Sequence, residues 1–153
     1  MTGHNVTHGM FSLKRTYDAA PERVFRAFST LEGKSQWFTG VWTATERSFD
    51  FREGGTEIAE GRWPNGMVSR FEAHYSDIIE NARIIYAYVM HIDGRKISVS
   101  LATVEFAATG TGTRLTITEQ GAFLDGFEDG GGREHGTGQL LDQLGAALAA
   151  GKI

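Results

Sequence analysis

Glu119 is the carboxylate best placed to do chemistry in this 153-residue chain. It continues the alternation Thr113, Leu115, Ile117, which puts it on the same strand face as two aliphatic side chains. A carboxylate on an apolar inner face loses hydration, and burial raises its pKa toward the range useful for acid–base work. The structural alternative is a strand-end charge bonded to loop backbone or to an arginine. Tyr75 alternates with Glu72 and His74, and Tyr86 and Tyr88 alternate with Arg83, Ile85, Ala87, Val89 and His91, so all three are expected on that same inner surface. Three tyrosines are many for a dry core, since each buried hydroxyl needs a partner, and they suit a concave, mostly apolar site with a few placed polar groups. A carboxylate among tyrosines can orient a polar group on an apolar ligand. It can equally serve acid–base chemistry of the cyclase, hydrolase or isomerase type.

Other chemistries find no support. The chain has no cysteine, which excludes disulfides, thiolate nucleophiles and zinc–sulfur centres. His74 and His91 fall opposite the tyrosines, on outward registers that only a slip or a bulge would reverse. His135, beside Arg133 and Glu134, reads as a solvated loop residue. No His, Asp or Glu set has metal-ligand spacing. Gly54-Gly55 and Gly130-Gly131-Gly132 match neither a P-loop nor a dinucleotide fingerprint. No metal, nucleotide or other cofactor is therefore expected.

A sheet and a helix must hold these groups. Leu140, Leu141, Leu144, Ala147 and Leu148 repeat at the spacing of one helical face, predicting a long C-terminal helix over 136–148. Residues 43–121 alternate as strands, with turn signals at Gly54-Gly55, Pro64-Asn65-Gly66, Asp93-Gly94 and 109–112. Phe11, Leu13 and Tyr17 begin a first strand, after a loose polar tail over residues 1–9. Pro21 and Glu22 then open a helix with Val24, Phe25, Phe28 and Leu31 as its apolar stripe, and a shorter helix follows to Trp37. The order predicts an α+β fold, an antiparallel sheet whose helices lie on one face. The glycine-rich, acidic stretch 123–136, with Phe123, Leu124 and Phe127, reads equally as a lid or as an ordinary loop.

The inner set expected from this pattern is Phe49, Phe51, Met67, Phe71, Tyr75, Tyr86, Tyr88, Met90, Leu115 and Ile117. Val24, Phe28, Trp37, Leu141, Leu144 and Leu148 face it. Either these side chains fill a core, or they enclose a pocket. In the second case Trp37, Phe49, Phe51, Phe71, Tyr75, Tyr86, Tyr88, Met90, Ile117, Leu141 and Leu144 are the expected ligand-binding residues. Gly145 inside the helix points to close approach of the sheet or of a ligand, because glycine there is costly.

Apolar residues make up 41% of the chain and charged residues 22%, the balance of one soluble globular domain, here residues 10–153. A net charge of −4 with scattered lysines and arginines disfavours nucleic acid and anionic membranes as partners. There is neither a signal-like start nor a membrane-length apolar run, so a reducing cytoplasm is the expected compartment.

Several segments together resemble the START-like SRPBCC superfamily. They are Ala19 to Phe28, Gln36-Trp37-Phe38, Phe49 to Gly55, Tyr75 to Ile78 with Arg83 to Tyr86, Gly112 to Glu119, and Gly136 to Leu148. The likeness is closest to the branch of activators of heat-shock-protein ATPase, near the polyketide cyclase-like proteins. The resemblance implies a helix-grip fold, in which a U-shaped sheet grips the last helix over an apolar cavity. It implies no universal catalytic residue. The expected partner is a small hydrophobic or aromatic molecule; a protein partner such as a chaperone and a homodimer are also compatible. The separate chaperone-binding domain of the family's full activator has no counterpart in a single domain, which sets chaperone activation behind small-molecule binding.

Overall fold

A computed structural model describes residues 3–127 and 131–153. Its elements are β1 (Val6–Tyr17), α1 (Pro21–Ser29), α2 (Leu31–Ser35), β2 (Thr43–Phe49), β3 (Thr56–Arg62), β4 (Val68–Ile79), β5 (Arg83–Ile92), β6 (Arg95–Thr109), β7 (Gly112–Leu124) and α3 (Gly132–Ala149). The seven strands form one sheet in the order β1-β7-β6-β5-β4-β3-β2, and every neighbouring pair is antiparallel. The fold is α+β, with the helices gathered on the concave face, as a helix-grip arrangement requires. Hairpin chemistry sets the order locally. Asp93 and Gly94 both take positive φ, 51° and 79°, the geometry of a two-residue turn that matches strand twist. No helix among the described residues is long and apolar enough to cross a membrane.

The stripe on α3 is real and buried: Leu141, Leu144, Ala147 and Leu148 sit inside, with Leu144 wholly inaccessible. The three leucines share one core with Val24, Phe25 and Phe28 of α1 and with Tyr17, Leu115 and Ile117 of the sheet. The Tyr17 hydroxyl donates to the Leu141 carbonyl at 2.7 Å. Gly145 lies under the Tyr17 ring, where a Cβ would stand 3.2 Å from Cε1, so it is the sheet that approaches there. At the far end, the Arg23 guanidinium donates to the carbonyl of Leu148 in the last turn of α3 at 2.6 Å and to that of Ile153, beyond the helix, at 2.7 Å.

Several boundaries differ from expectation. Strand β1 begins at Val6, inside the stretch read as tail, because its backbone pairs with β7 from Val6↔Leu124 onward. Phe123 and Leu124 belong to β7 rather than to a loop, and α3 starts at Gly132. Residues 128–130 of the stretch read as lid or loop lie outside the described residues. Leu31 is exposed at the start of α2. Met67 sits in the turn before β4, its carbonyl accepting from the Trp63 amide at 2.8 Å, and so leaves the inward set.

All four tyrosines of the chain carry hydroxyls pushed above their ordinary pKa, burial being the largest cause in each. Carboxylates add to it: Asp142 for Tyr17, Glu57 for Tyr75, and Glu119 for both Tyr86 and Tyr88. Two outcomes follow. Leu144→Ala is expected to cost about 2–5 kcal/mol, read as a lower urea midpoint at unchanged slope; a loss under about 1 kcal/mol would show that α3 does not seal the core. For pH, the tyrosines are neutral in both states below about pH 10. Above it the unfolded chain releases protons that the native state keeps, so stability falls as pH rises. Ultraviolet titration should show tyrosinate appearing together with cooperative unfolding; gradual ionisation of the folded protein near the ordinary value would mean solvated hydroxyls.

Candidate functional site

The strand register decides which side chains meet on the concave floor. One rung of the ladder runs Phe11, Glu119, Ala102, Tyr86, Tyr75. The next runs Gly9, Gly121, Ser100, Tyr88, Ala73, Glu57, Phe49. A third runs Thr7, Phe123, Ser98, Met90, Phe71, Ala59, Arg47. Large rings on β4 and β5 thus alternate with alanine and serine on β3, β4 and β6. Small side chains cannot fill the space beneath a helix, and a cavity of about 520 Å³ remains. That volume is within the range of small-molecule sites.

Phe71, Tyr86, Tyr88 and Met90 form its floor, and Leu140, Leu141 and Gln143 of α3 its roof. Trp37 and Phe38, which follow α2, make a side wall held by two bonds from Gln143 Nε2, to the Trp37 carbonyl at 3.1 Å and the Thr39 carbonyl at 3.0 Å. Trp42 lies flat over Gly61, where a Cβ would come within 2.0 Å of the indole, so only glycine admits it. Trp42, Trp63 and the exposed Val41 line the outer part.

Of the expected site residues, Glu119, Trp37, Phe71, Tyr86, Tyr88, Met90, Ile117 and Leu141 line this cavity. Phe49, Phe51, Tyr75 and Leu144 do not. Phe49 and Phe51 stack at 5.9 Å, and Phe51 meets Tyr75 and Phe25 edge-on at 5.0 and 5.8 Å. They are on the expected face, but α1 covers that part of it and makes them core; Leu144 is packed in the same core. His74 is exposed on the outer face, and His135 is exposed on α3.

Two polar clusters reach the lining, one through Tyr88, Glu119 and Arg133 and the other through Lys34. In the first, the Tyr88 hydroxyl donates to Glu119 Oε1. Arg133, from the first turn of α3, donates through Nη1 to the Tyr88 oxygen at 3.0 Å and through Nη2 to Ser98 Oγ at 2.9 Å. Its guanidinium also lies over the Phe123 and Tyr88 rings, 5.2 and 5.6 Å from their centroids. Burial, with Glu119 beside it, pushes the Tyr88 hydroxyl up, and Arg133 opposes that shift. Tyr88 is thus a neutral donor to a carboxylate that is 5% exposed. Such a group can accept a bond from a ligand hydroxyl or take a proton from a substrate.

In the second cluster, Lys34 of α2 is turned inward and donates to Glu57 Oε1 at 2.9 Å, while the Tyr75 hydroxyl donates to the same oxygen at 2.5 Å. Lys34 is 3% exposed and Glu57 wholly buried. The ammonium also sits 4.7 Å from the Phe38 centroid. Glu57 Oε2 and Arg47 Nε and Nη2 are buried without a hydrogen-bond partner among the described residues. Burying a charge pair recovers little net energy, because desolvation offsets attraction, so this cluster is weak support for stability and stronger support for a site. Among the described residues no three His, Asp or Glu side chains gather as metal ligands.

Lys34, Glu57, Arg133 and Ser98 escape a reading of single segments. A lysine in a short polar helix reads as surface, and a lone arginine after a glycine run reads as loop. One signal was available: Glu57, Ala59 and Gly61 share a face of β3, the pattern of a strand with a carboxylate among residues too small to bury it alone.

The solved structures most like this one include a protein of Rhizobium leguminosarum, 44% identical, covering 97% of this chain and 99% of that one, with a TM-score of 0.93. The Mll3558 protein of Rhizobium loti is 43% identical over 93% of this chain and 98% of its own, with a TM-score of 0.85. CV1439 of Chromobacterium violaceum is 24% identical, covers 90% of this chain and 94% of that one at a TM-score of 0.77, and shares the fold. Among curated proteins, none matches the chain. The family model for Activator of Hsp90 ATPase homolog 1-like protein matches residues 18–149, nearly the whole of the folded chain, and the protein belongs to that family.

Proposed function

We propose that the protein binds a small hydrophobic or aromatic molecule in the cavity between the sheet and α3, in a cytoplasmic setting. The observation that carries this reading is the roughly 520 Å³ space with aromatic rings on its floor and side wall and two ionic clusters at its edges. Apolar walls supply affinity through buried area, about 25 cal/mol per Å² removed from water, while Glu119, Tyr86 and Tyr88 supply selectivity. A chaperone or other protein partner would instead be read by an outer surface and would leave this cavity without a task.

A second reading is an enzyme of cyclase, hydrolase or isomerase type. The enclosed Tyr88–Glu119 pair favours it, since a desolvated carboxylate bonded to a tyrosyl hydroxyl is a usable proton acceptor. Glu119 would take the proton and the tyrosines would orient the substrate.

Thermal melting against a panel of flavonoid, polyketide-like and fatty-acid compounds tests the first reading. A ligand at about 100 times its dissociation constant should stabilise the native state by roughly 2.7 kcal/mol. No shift across a saturating panel would turn attention to protein partners. With a hit in hand, Glu119→Gln separates the two readings. If turnover exists and Glu119 is its base, the variant should retain binding and lose activity by about 10²-fold or more; activity that survives the change would remove Glu119 from the chemistry.

A further inference from the structure

Tyr86 differs from the other tyrosines on the concave floor. The hydroxyls of Tyr75 and Tyr88 are committed, to Glu57 and to Glu119. The Tyr86 hydroxyl has no hydrogen bond to any described residue, and it is not among the polar atoms buried without a partner, so it keeps accessible surface. Its ring sits at mid-floor, with centroids 5.8 Å from Tyr75, 5.9 Å from Tyr88 and 6.4 Å from Phe71, and it lines the cavity. That surface therefore faces the cavity. A donor of this kind, held on a packed strand among rings, is the group that gives an apolar pocket its selectivity.

The surroundings narrow what it recognises. Glu119 is on the same rung as Tyr86, two strands away, and Glu57 is on the next rung; both carboxylates, after burial, keep this hydroxyl protonated. A hydroxyl that stays protonated offers a hydrogen and calls for an acceptor. An anionic acceptor would meet both carboxylates. The two cations that line the cavity are already engaged, Lys34 with Glu57 at 2.9 Å and Arg133 with Tyr88 and Ser98 at 3.0 and 2.9 Å. A neutral oxygen avoids that repulsion, and flat rings beside it match the aromatic walls.

Resting on the ligand-binding reading above, we infer that Tyr86 is the specificity-determining donor of the cavity. It gives its O–H to an uncharged carbonyl oxygen on a flat, aromatic ligand. The carbonyl sits at mid-depth and the rings lie among Phe71, Tyr88 and Trp37.

Flavone and 2-phenylnaphthalene test this as a matched pair, of similar shape and with a ring carbonyl on the first only. Affinities are measured by calorimetry for the unmodified protein and for Tyr86→Phe. The unmodified protein should bind flavone about tenfold more tightly than the hydrocarbon, the worth of one well-placed hydrogen bond. Tyr86→Phe should abolish that preference by weakening flavone alone. The variant removes an oxygen that no protein group uses, so its melting temperature should be unchanged. Equal binding of the two probes by the unmodified protein, or a flavone preference that survives in Tyr86→Phe, overturns the assignment while leaving the cavity reading intact. If neither probe binds, the cavity reading fails and the assignment with it.

Discussion

Burial of one stripe on α3, Leu141, Leu144 and Leu148, against α1 and the inner face of the sheet is the contact on which the rest of the molecule depends. Once that stripe is seated, the roof of the cavity has one position. Gln143, one residue before Leu144, then holds the backbone of Trp37 and Thr39. Arg133, at the other end of the same helix, reaches Tyr88 and Ser98 on β5 and β6. The helix is thus tied to the sheet by apolar packing in its second half and by a cation in its first turn. The span between the two is where the cavity lies.

The two polar clusters divide the labour of that span. The Arg133–Tyr88–Glu119 chain links α3 to β5 and β7, and the Lys34–Glu57–Tyr75 cluster links α2 to β3 and β4. Each is a buried carboxylate with a tyrosyl donor and a cation within its group. Arrangements of this kind add little to stability but lose much if one member is removed, so they fix geometry. Between them the walls are aromatic, and ring-to-ring contacts such as Phe38–Phe71 at 5.0 Å give the cavity a stiff outline.

Strand alternation made much of this legible from sequence, because parity alone decides which face Glu119, Tyr86, Tyr88 and Met90 present. Helical spacing did the same for Leu141 and Leu144. Parity does not say which part of a face a neighbouring helix will cover, and so Phe49, Phe51 and Tyr75 were expected in a pocket and are core. The ionic partners were out of reach for another reason. Lys34 and Glu57 are 23 residues apart and Arg133 and Tyr88 are 45 apart, and neither pairing has a periodic trace. Such contacts exist only once the strands are in register, and the register depends on bulges, such as that between Met90 and His91, which the pattern did not position.

The chain has three tryptophans, and all of them, Trp37, Trp42 and Trp63, stand on the cavity wall. Two are fixed by their ring nitrogens, Trp37 Nε1 donating to the Ala27 carbonyl and Trp63 Nε1 to Ser69 Oγ, both at 2.8 Å, and the third rests on Gly61. The indole emission of this protein therefore originates from a single region. Its colour and lifetime report on the polarity of that one space, with no background from elsewhere in the fold. A molecule seated in the cavity would alter that emission, so the three indoles would serve as a built-in optical probe of occupancy.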